Sequence, residues 1–437
     1  MERRKIVDQS AAAATLTSVR ATKIRWFGGW LVFLLCFVAY LDRIAFSVNA
    51  SRIMEAISIT PVQFGVVTTV FSVGYFIFQI PGAMAVERFG SRVVLAISLV
   101  LWSIFTALTG AMSTLVMLAG VRFLFGVGEA PIFPGGNHFF ANWFTRQERG
   151  RSNSLMNGGA FSASIIGPPI IVAIVSALGW RISFVFCGIL GFIAAAIWYL
   201  CTRSRPAEHP WVNEQELALI TENNIIAAQK AKAKAPWALF LRQRSFWAIA
   251  LGYFGTLWTV QFFLYWLPYY LQAARHLSFR TMGFYTSVPW IFIVAGVFSA
   301  GALSDLLLKK GFSRYAARNL VCATGLAISA IALVLSTTAE TAVGNILWLS
   351  LALGMAGFPQ TLAWSISTDI GQQFTSTVGS WMNMWGFIAA SIVPTVAPIV
   401  AKSYGWNQVL IVNAGVIVLG IIGYLLIKTD QPLRMSE

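Results

Sequence analysis

Four charged side chains stand inside apolar stretches long enough to cross a bilayer. Asp42 and Arg43 close the tetrapeptide Tyr40-Leu41-Asp42-Arg43 in a run that begins at Trp26. Arg122 and Glu129 share another run, Glu129 within Gly126-Val127-Gly128-Glu129-Ala130-Pro131. A charge at the centre of a membrane helix costs about 2.5–3.5 kcal/mol on insertion scales, so such groups face a cavity and pair with one another. Two carboxyls beside two guanidiniums can take up a proton, exchange ion-pair partners and hold an anion. The plainer role for the same four residues is a static network that locks two helices together.

At about 1.5 Å per residue, Asp42 lies about 24 Å from Trp26, and Arg122 lies about 12 Å from the far end of its own run near Thr114. Both come to the same half of the bilayer. The expected pairing is Asp42 with Arg122, with Glu129 two turns deeper than Arg122 on the same helix face and next to a central cavity. Arg43 is the first choice for holding a carboxylate, since a guanidinium is a planar, permanently charged, two-pronged donor. The residues expected to complete a cavity wall are Tyr75 in the second helix, Tyr253 and Gln261 in the seventh, Thr361, Trp364 and Ser365 in the tenth, and Asn383 in the eleventh. Taken singly, an aromatic in a span is more often packing or an interface anchor.

The elements that must position these residues follow from composition. The chain has 437 residues, 57% hydrophobic and 11% charged, with a mean hydropathy of +0.71. That is too apolar for a water-soluble domain. Apolar runs of about twenty residues recur about twelve times, from Trp26–Val48 to Val409–Ile427. The first follows Arg3, Arg4, Lys5, Arg20, Lys23 and Arg25 but lacks a small-residue cleavage site, and is read as a retained helix. The expected fold is an all-α integral membrane protein of twelve transmembrane helices in two pseudo-symmetric six-helix bundles. Its expected parts are an amino-terminal tail (1–25), a bundle (26–202), a linker (203–245), a second bundle (246–427) and a carboxy-terminal tail (428–437).

The net charge of +15 is spread over alternate short loops rather than one soluble segment, which argues against a nucleic-acid partner. Arg88, Arg92, Arg146, Arg149, Arg151, Lys309, Lys310, Arg314 and Arg318 fall on the side of the termini. The opposite loops carry Arg52, Arg181, Arg275, Arg280 and Lys402. The positive-inside rule then places both termini and the linker in the cytoplasm, which requires an even number of spans. Cys36, Cys187, Cys201 and Cys322 are unpaired in spacing, and the histidines (His138, His209, His276) are scattered. Neither set implies a metal site, and no cofactor is expected beyond a coupling proton.

The two halves share a signature. Gly82-Ala-Met-Ala-Val-Glu87-Arg88-Phe-Gly90-Ser-Arg92 follows the second run, and Gly301-Ala-Leu-Ser-Asp305 with Lys309-Lys310-Gly311 follows the eighth, about half the chain away. A small residue, an acid four positions on and then bases, at corresponding helix ends, reads as an internal duplication. On this signature the chain resembles the major facilitator superfamily, over nearly its whole length, with Ala83 and Glu87 standing where that family usually has Gly and Asp. The resemblance implies a gating role for Glu87, Arg88, Arg92 and Asp305.

Tyr40-Leu-Asp42-Arg43, Gln79-Ile-Pro81-Gly82, Arg122 with Gly128-Glu129-Ala-Pro131-Ile-Phe133-Pro134, Trp364-Ser365 and Asn383 resemble the anion:cation symporter branch of that family. The resemblance implies proton-coupled uptake of an organic anion: a sugar acid such as an aldonate or hexuronate, or a related di- or aromatic carboxylate. It makes Asp42 and Glu129 the proton-carrying acids, Arg43 and Arg122 their partners, and Tyr40, Tyr75, Trp364 and Asn383 substrate-lining. It also implies a monomer in the bacterial inner (plasma) membrane. Ala160 and Tyr253 stand where sugar-acid permeases often carry Gln, and Thr361 and Ala363 replace Ser and Thr, which makes the wall more apolar.

Gly167-Pro168 is similar to an antiporter signature, but Ile170 and Ile171 follow where glycines should, which weakens the alternative of a same-fold exporter of metabolites or drugs. A membrane-embedded enzyme would need a nucleophile with its base, or a metal set, and none is evident.

Overall fold

The computed structural model describes residues 21–145, 148–228 and 236–434. Tail residues 1–20 and 435–437, linker residues 229–235, Arg146 and Gln147 lie outside the described residues, as do the side chains of Arg149, of residues 222–228, of Gln373 and of Ser376. Among the described residues, twelve helices are long and apolar enough to cross a membrane: α1 (Ile24–Val48), α2 (Pro61–Phe89), α3 (Ser91–Thr109), α4 (Leu115–Trp143), α5 (Gly150–Leu178), α6 (Trp180–Cys201), α7 (Arg244–Ala273), α8 (Phe279–Lys309), α9 (Tyr315–Thr338), α10 (Ala342–Gly371), α11 (Thr377–Tyr404) and α12 (Trp406–Leu426). Among the described residues every regular element is helical. In hydrocarbon the backbone must satisfy its own hydrogen bonds, which a helix does within one segment.

The helices start and stop by local chemistry that repeats between the halves. Hydroxyl side chains cap α2 (Thr60 accepting from Gln63 N, 3.3 Å), α4 (Thr114 from Met117 N, 3.3 Å), α8 (Ser278 from Thr281 N, 3.2 Å) and α10 (Thr341 from Gly344 N, 3.1 Å). Each satisfies an orphan amide at a helix start. Gly90 and Gly311, with φ of 81° and 85°, turn the chain after α2 and α8; Gly179 and Gly405, with φ of 86° and 85°, turn it after α5 and α11. These conformations are open to glycine and strained for residues with a Cβ.

Packing repeats in the same way. In the first half α1 packs on α5, α2 on α4 and α3 on α6; in the second α7 packs on α11, α8 on α10 and α9 on α12. The halves meet through α2 on α11 and α5 on α8, two contacts that exchange under the same duplication. Small residues permit the approach, since without a water-driven hydrophobic effect membrane helices associate through close packing. Gly65 of α2 abuts the Pro394 carbonyl of α11, and Gly126 of α4 abuts the Phe71 carbonyl of α2, leaving no room for a Cβ at either.

Among the described residues, the hydrogen bonds between halves lie between mid-span and the end of the spans away from the termini. Ser47 donates to Tyr265 O (3.0 Å), Ser51 Oγ meets Gln272 Oε1 (3.1 Å), and Thr69 reaches Ser391 O and Thr395 Oγ1 (2.8 Å each). The Arg52 guanidinium sits 4.1 Å from the Phe279 ring centroid at the same end. Toward the termini Ile80, Met84 and Phe298 are exposed, as are Glu87, Arg88 and Asp305. The bundles are joined at the far end, and among the described residues no hydrogen bond, ion pair or ring contact joins them at the terminus end.

The described part of the linker is anchored to the first half. Its helix Glu214–Ala228 places Glu216, fully buried, against the start of α1. There the Glu216 carboxylate accepts from Thr22 Oγ1 (2.6 Å), Ile24 N (3.1 Å) and Arg25 Nη1 (2.8 Å). Arg25 also holds Glu148 (Nη2 to Oε1, 3.0 Å) at the entry to α5. Burial pushes the Glu148 carboxyl up, but its hydrogen bond to Arg25 and the charge of that guanidinium prevail and hold it below the usual glutamate range.

Candidate functional site

Arg43 on α1 and Glu129 on α4 form an ion pair in the middle of the first half. Arg43 Nη2 lies 2.9 Å from Glu129 Oε1, and Arg43 Nε donates to Oε1 at 3.0 Å and less directly to Oε2 at 3.3 Å. Both side chains are almost wholly buried. Nε is the hydrogen-bond donor to this carboxylate, and Nη2 adds close charge contact without a hydrogen bond. Glu129 ends the first helical piece of α4, Leu115–Glu129, and Pro131 leads into the second, Ile132–Trp143. Proline lacks the N–H that would continue the ladder, so the carboxylate sits where the helix is locally loosened.

Aromatic faces surround the Arg43 guanidinium: Tyr40 at 4.9 Å, Phe71 at 5.1 Å and Tyr75 at 5.2 Å from the ring centroids. Such faces stabilise a cation without neutralising it, which leaves it able to attract an anion. Tyr75 in turn stacks on Phe387 of α11 at 5.4 Å, so this cage touches the second half. The Tyr75 hydroxyl is buried and has no hydrogen-bond partner among the described residues.

The expected Asp42–Arg122 ion pair is not formed. Asp42 Oδ2 accepts from Thr106 Oγ1 of α3 (3.2 Å), while Oδ1 has no partner among the described residues. Arg122, fully buried, is sandwiched by Phe46 (4.2 Å), Phe125 (4.3 Å) and Phe71 (5.0 Å), with Nε and Nη2 unpartnered. Matching depth along two helices sets the level of the two groups but not the rotation of each helix. Rotation turns Asp42 toward α3, and three rings take the place of a carboxylate around Arg122.

On the second half, Tyr253 of α7 packs edge-on against Trp364 of α10 at 6.4 Å, and Trp364 is 45% exposed. Gln261 is buried with its Oε1 unpartnered. Thr361, Ser365 and Asn383 are half-buried and carry no side-chain hydrogen bond among the described residues. Of the helices that carry these groups, α7 packs against α1 and α11 against α2 of the first half. The structure brings Tyr40, Arg43, Tyr75 and Glu129 into one cluster, and among the described residues no hydrogen bond, ion pair or ring contact joins it to Gln261, Thr361, Trp364, Ser365 or Asn383.

The signature loop divides. Arg92 is held inside the first half, its Nε donating to Tyr199 O (2.9 Å) and its guanidinium over the Tyr199 ring at 4.3 Å. Glu87, Arg88 and Asp305 form no ion pair among the described residues. In the second half, the acid that is paired is Asp369 near the end of α10, bonded to Arg318 and 3.9 Å from Arg314. Sequence reasoning used Arg318 only for topology and passed over Asp369, although an acid at the end of an apolar run is the usual sign of such a pair. It also passed over Phe71 and Thr106, which nothing in their own segments distinguishes from ordinary packing residues.

Residues 32–394 match the model of the Major Facilitator Superfamily. The chain is 30% identical over 419 residues to a probable L-galactonate transporter of Escherichia coli, covering 95% of this chain and 92% of that one. It is 31% identical over 431 residues to a probable galactarate/D-glucarate transporter of Bacillus subtilis, covering 95% and 94%. Among solved structures it superimposes, at a TM-score of 0.76 and 17% identity, on a bacterial homolog of the human lysosomal transporter Spinster in an inward-facing, occupied conformation, covering 93% of this chain and 97% of that one. Twelve spans in two matched halves, a buried ion pair facing their interface and these likenesses agree: the chain belongs to the major facilitator superfamily, in its anion:cation symporter branch, and is a transporter rather than an enzyme.

Proposed function

We propose that this chain imports a small organic carboxylate by proton symport, a single chain supplying both walls of the pathway. Its place would be the bacterial inner membrane, with both termini cytoplasmic. The observation that carries the reading is the Arg43–Glu129 pair: a guanidinium caged by aromatic faces and held by one protonatable acid. When Glu129 is protonated its hold on Arg43 weakens, and the guanidinium is free to take a substrate carboxylate. When the proton leaves, the acid recaptures Arg43 and the substrate loses its partner. The bundles rock between these events, and a conformation joined away from the termini, without such contacts toward them, corresponds to the release side. Asp42, apart from any cation at hydrogen-bond distance, is the second proposed proton carrier.

The relatives' printed substrates, L-galactonate and galactarate/D-glucarate, support a sugar acid. Ala160, Thr361 and Ala363 make the wall less polar, which favours fewer hydroxyls on the substrate. The test is uptake into liposomes of labelled galactonate, glucuronate, tartrate and phthalate, with and without an inward proton gradient. Gradient-driven accumulation of at least one acid supports symport; equal uptake with and without the gradient overturns it.

A further inference from the structure

Two adjoining clefts open on the outer flank of the second half, at the end of the spans nearest the termini, and share Arg244 and Leu426. One, of about 300 Å³, is lined by Arg244, Tyr315, Lys428 and Asp430 among others. The other, of about 320 Å³, is walled by Trp247, Leu251, Trp385 and Leu426. Arg244 is the first residue of α7 and Lys428 follows the end of α12, so both cations stand at the plane where helices leave the hydrocarbon. Leu251, seven residues into α7, lies about 10 Å deeper. A charged rim above an apolar trough of that depth has the profile of a phospholipid.

The rim is built and its charge is free. Lys428 N donates to Ser245 Oγ (3.1 Å), and Asn319 Nδ2 ties down Tyr424 O (3.0 Å) and Ile427 O (2.9 Å). Beyond it, Leu433 N bonds to Ile370 O (2.9 Å), so the segment carrying Lys428 is fixed at both ends. Asp430 Oδ1 is engaged by Arg314 N (3.0 Å). The Arg244 and Lys428 side chains have no hydrogen bond or ion pair among the described residues. The trough is equally rigid: Trp247 Nε1 donates to Leu241 O (2.8 Å), and the ring lies 5.0 Å from Trp381 and 5.8 Å from Trp385.

We infer that this groove binds one anionic phospholipid from the leaflet on the side of the termini, with the phosphate between Arg244 and Lys428 and an acyl chain along Trp247 and Leu251. Paired cations at the mouth of an apolar groove select charge in the headgroup, whereas an ordinary lipid-facing surface takes any headgroup. The inference does not depend on which solute is carried or on proton coupling.

Native mass spectrometry of the purified full chain, titrated with phosphatidylglycerol or with phosphatidylcholine of the same acyl chains, tests it. One phosphatidylglycerol is expected to remain bound under activation that strips phosphatidylcholine. In Arg244→Gln/Lys428→Gln its affinity should fall by about tenfold or more, at about 1 kcal/mol for each cation near a charged surface. Leu251→Trp, which fills the trough without changing charge, should also release it. Arg203→Gln/Arg205→Gln, at the corresponding end of the first half, should not. Equal retention of the two lipids, an equal loss in the Arg203/Arg205 variant, or full retention in Leu251→Trp would each overturn the inference; unchanged phosphatidylcholine binding in every variant checks that each is folded.

Discussion

Arg43 and Glu129 come from helices whose positions in sequence are far apart, yet Nη2 and Oε1 stand 2.9 Å apart with almost no access to solvent. Neither is stable there alone. Leaving one charge of a buried pair without its partner costs about 3–5 kcal/mol. Arg43→Ala is therefore expected to lower thermal stability more than Glu129→Gln, which keeps a hydrogen-bonding amide opposite the guanidinium. Melting of the two variants in one detergent gives the order directly, and the reverse order would contradict the pair.

Thr106 donates a hydrogen bond to Asp42 Oδ2 (3.2 Å). Thr106→Val removes that bond with little change in volume. It should shift the pH dependence of uptake while leaving substrate affinity within about threefold, since a hydrogen bond to an ionised group is worth about 1.5–3 kcal/mol to one protonation state. A pH profile of proton-driven uptake in liposomes, beside a binding titration, separates the two effects. An unmoved profile with lost binding would place Asp42 at the substrate rather than in coupling.

Legibility in the sequence was uneven for a physical reason. The twelve spans, the duplication and the four intramembrane charges were legible because each departs from what lipid tolerates or repeats at a fixed interval. Branch resemblance marks Asp42 and Glu129 as the acids and Arg43 and Arg122 as their partners, but depth does not give the partner of Asp42. Depth is read at 1.5 Å per residue, whereas which way Asp42 points depends on how α1 turns against α3 and α5, and that is set by packing. The Asp369–Arg318 pair is hidden in the sequence because a cation at a helix end satisfies the loop-charge rule whether or not it also holds an acid.

Gly65 lies against the Pro394 carbonyl where α2 meets α11, at the joined end. A Cβ there cannot be accommodated without separating the halves. Gly65→Val should therefore weaken closure at that end and raise the labelling of Ser51→Cys by a membrane-impermeant thiol reagent added from the side away from the termini. Labelling equal to that of the Ser51→Cys parent would mean that closure does not rest on this contact.

Glu148 is held below the usual glutamate value of 4.5 by Arg25, despite the opposing effect of burial. A carboxyl with a depressed folded-state pKa contributes stability above its unfolded value, and that contribution is lost as pH falls through the folded value. The Arg25–Glu148 contact should therefore weaken below about pH 4.5. Thermal melting from pH 7 to pH 4 should show a smaller decline in Glu148→Gln than in the wild type over the lowest part of that range. A parallel decline would assign the acid sensitivity elsewhere.

The central claim is that protonation of Glu129 governs Arg43, and one measurement addresses it: substrate exchange and gradient-driven accumulation compared in liposomes carrying wild type or Glu129→Gln. The account predicts that Glu129→Gln, unable to release a proton, still exchanges labelled for unlabelled substrate across the membrane but no longer accumulates it when an inward proton gradient is imposed. Accumulation at the wild-type level in Glu129→Gln would contradict it.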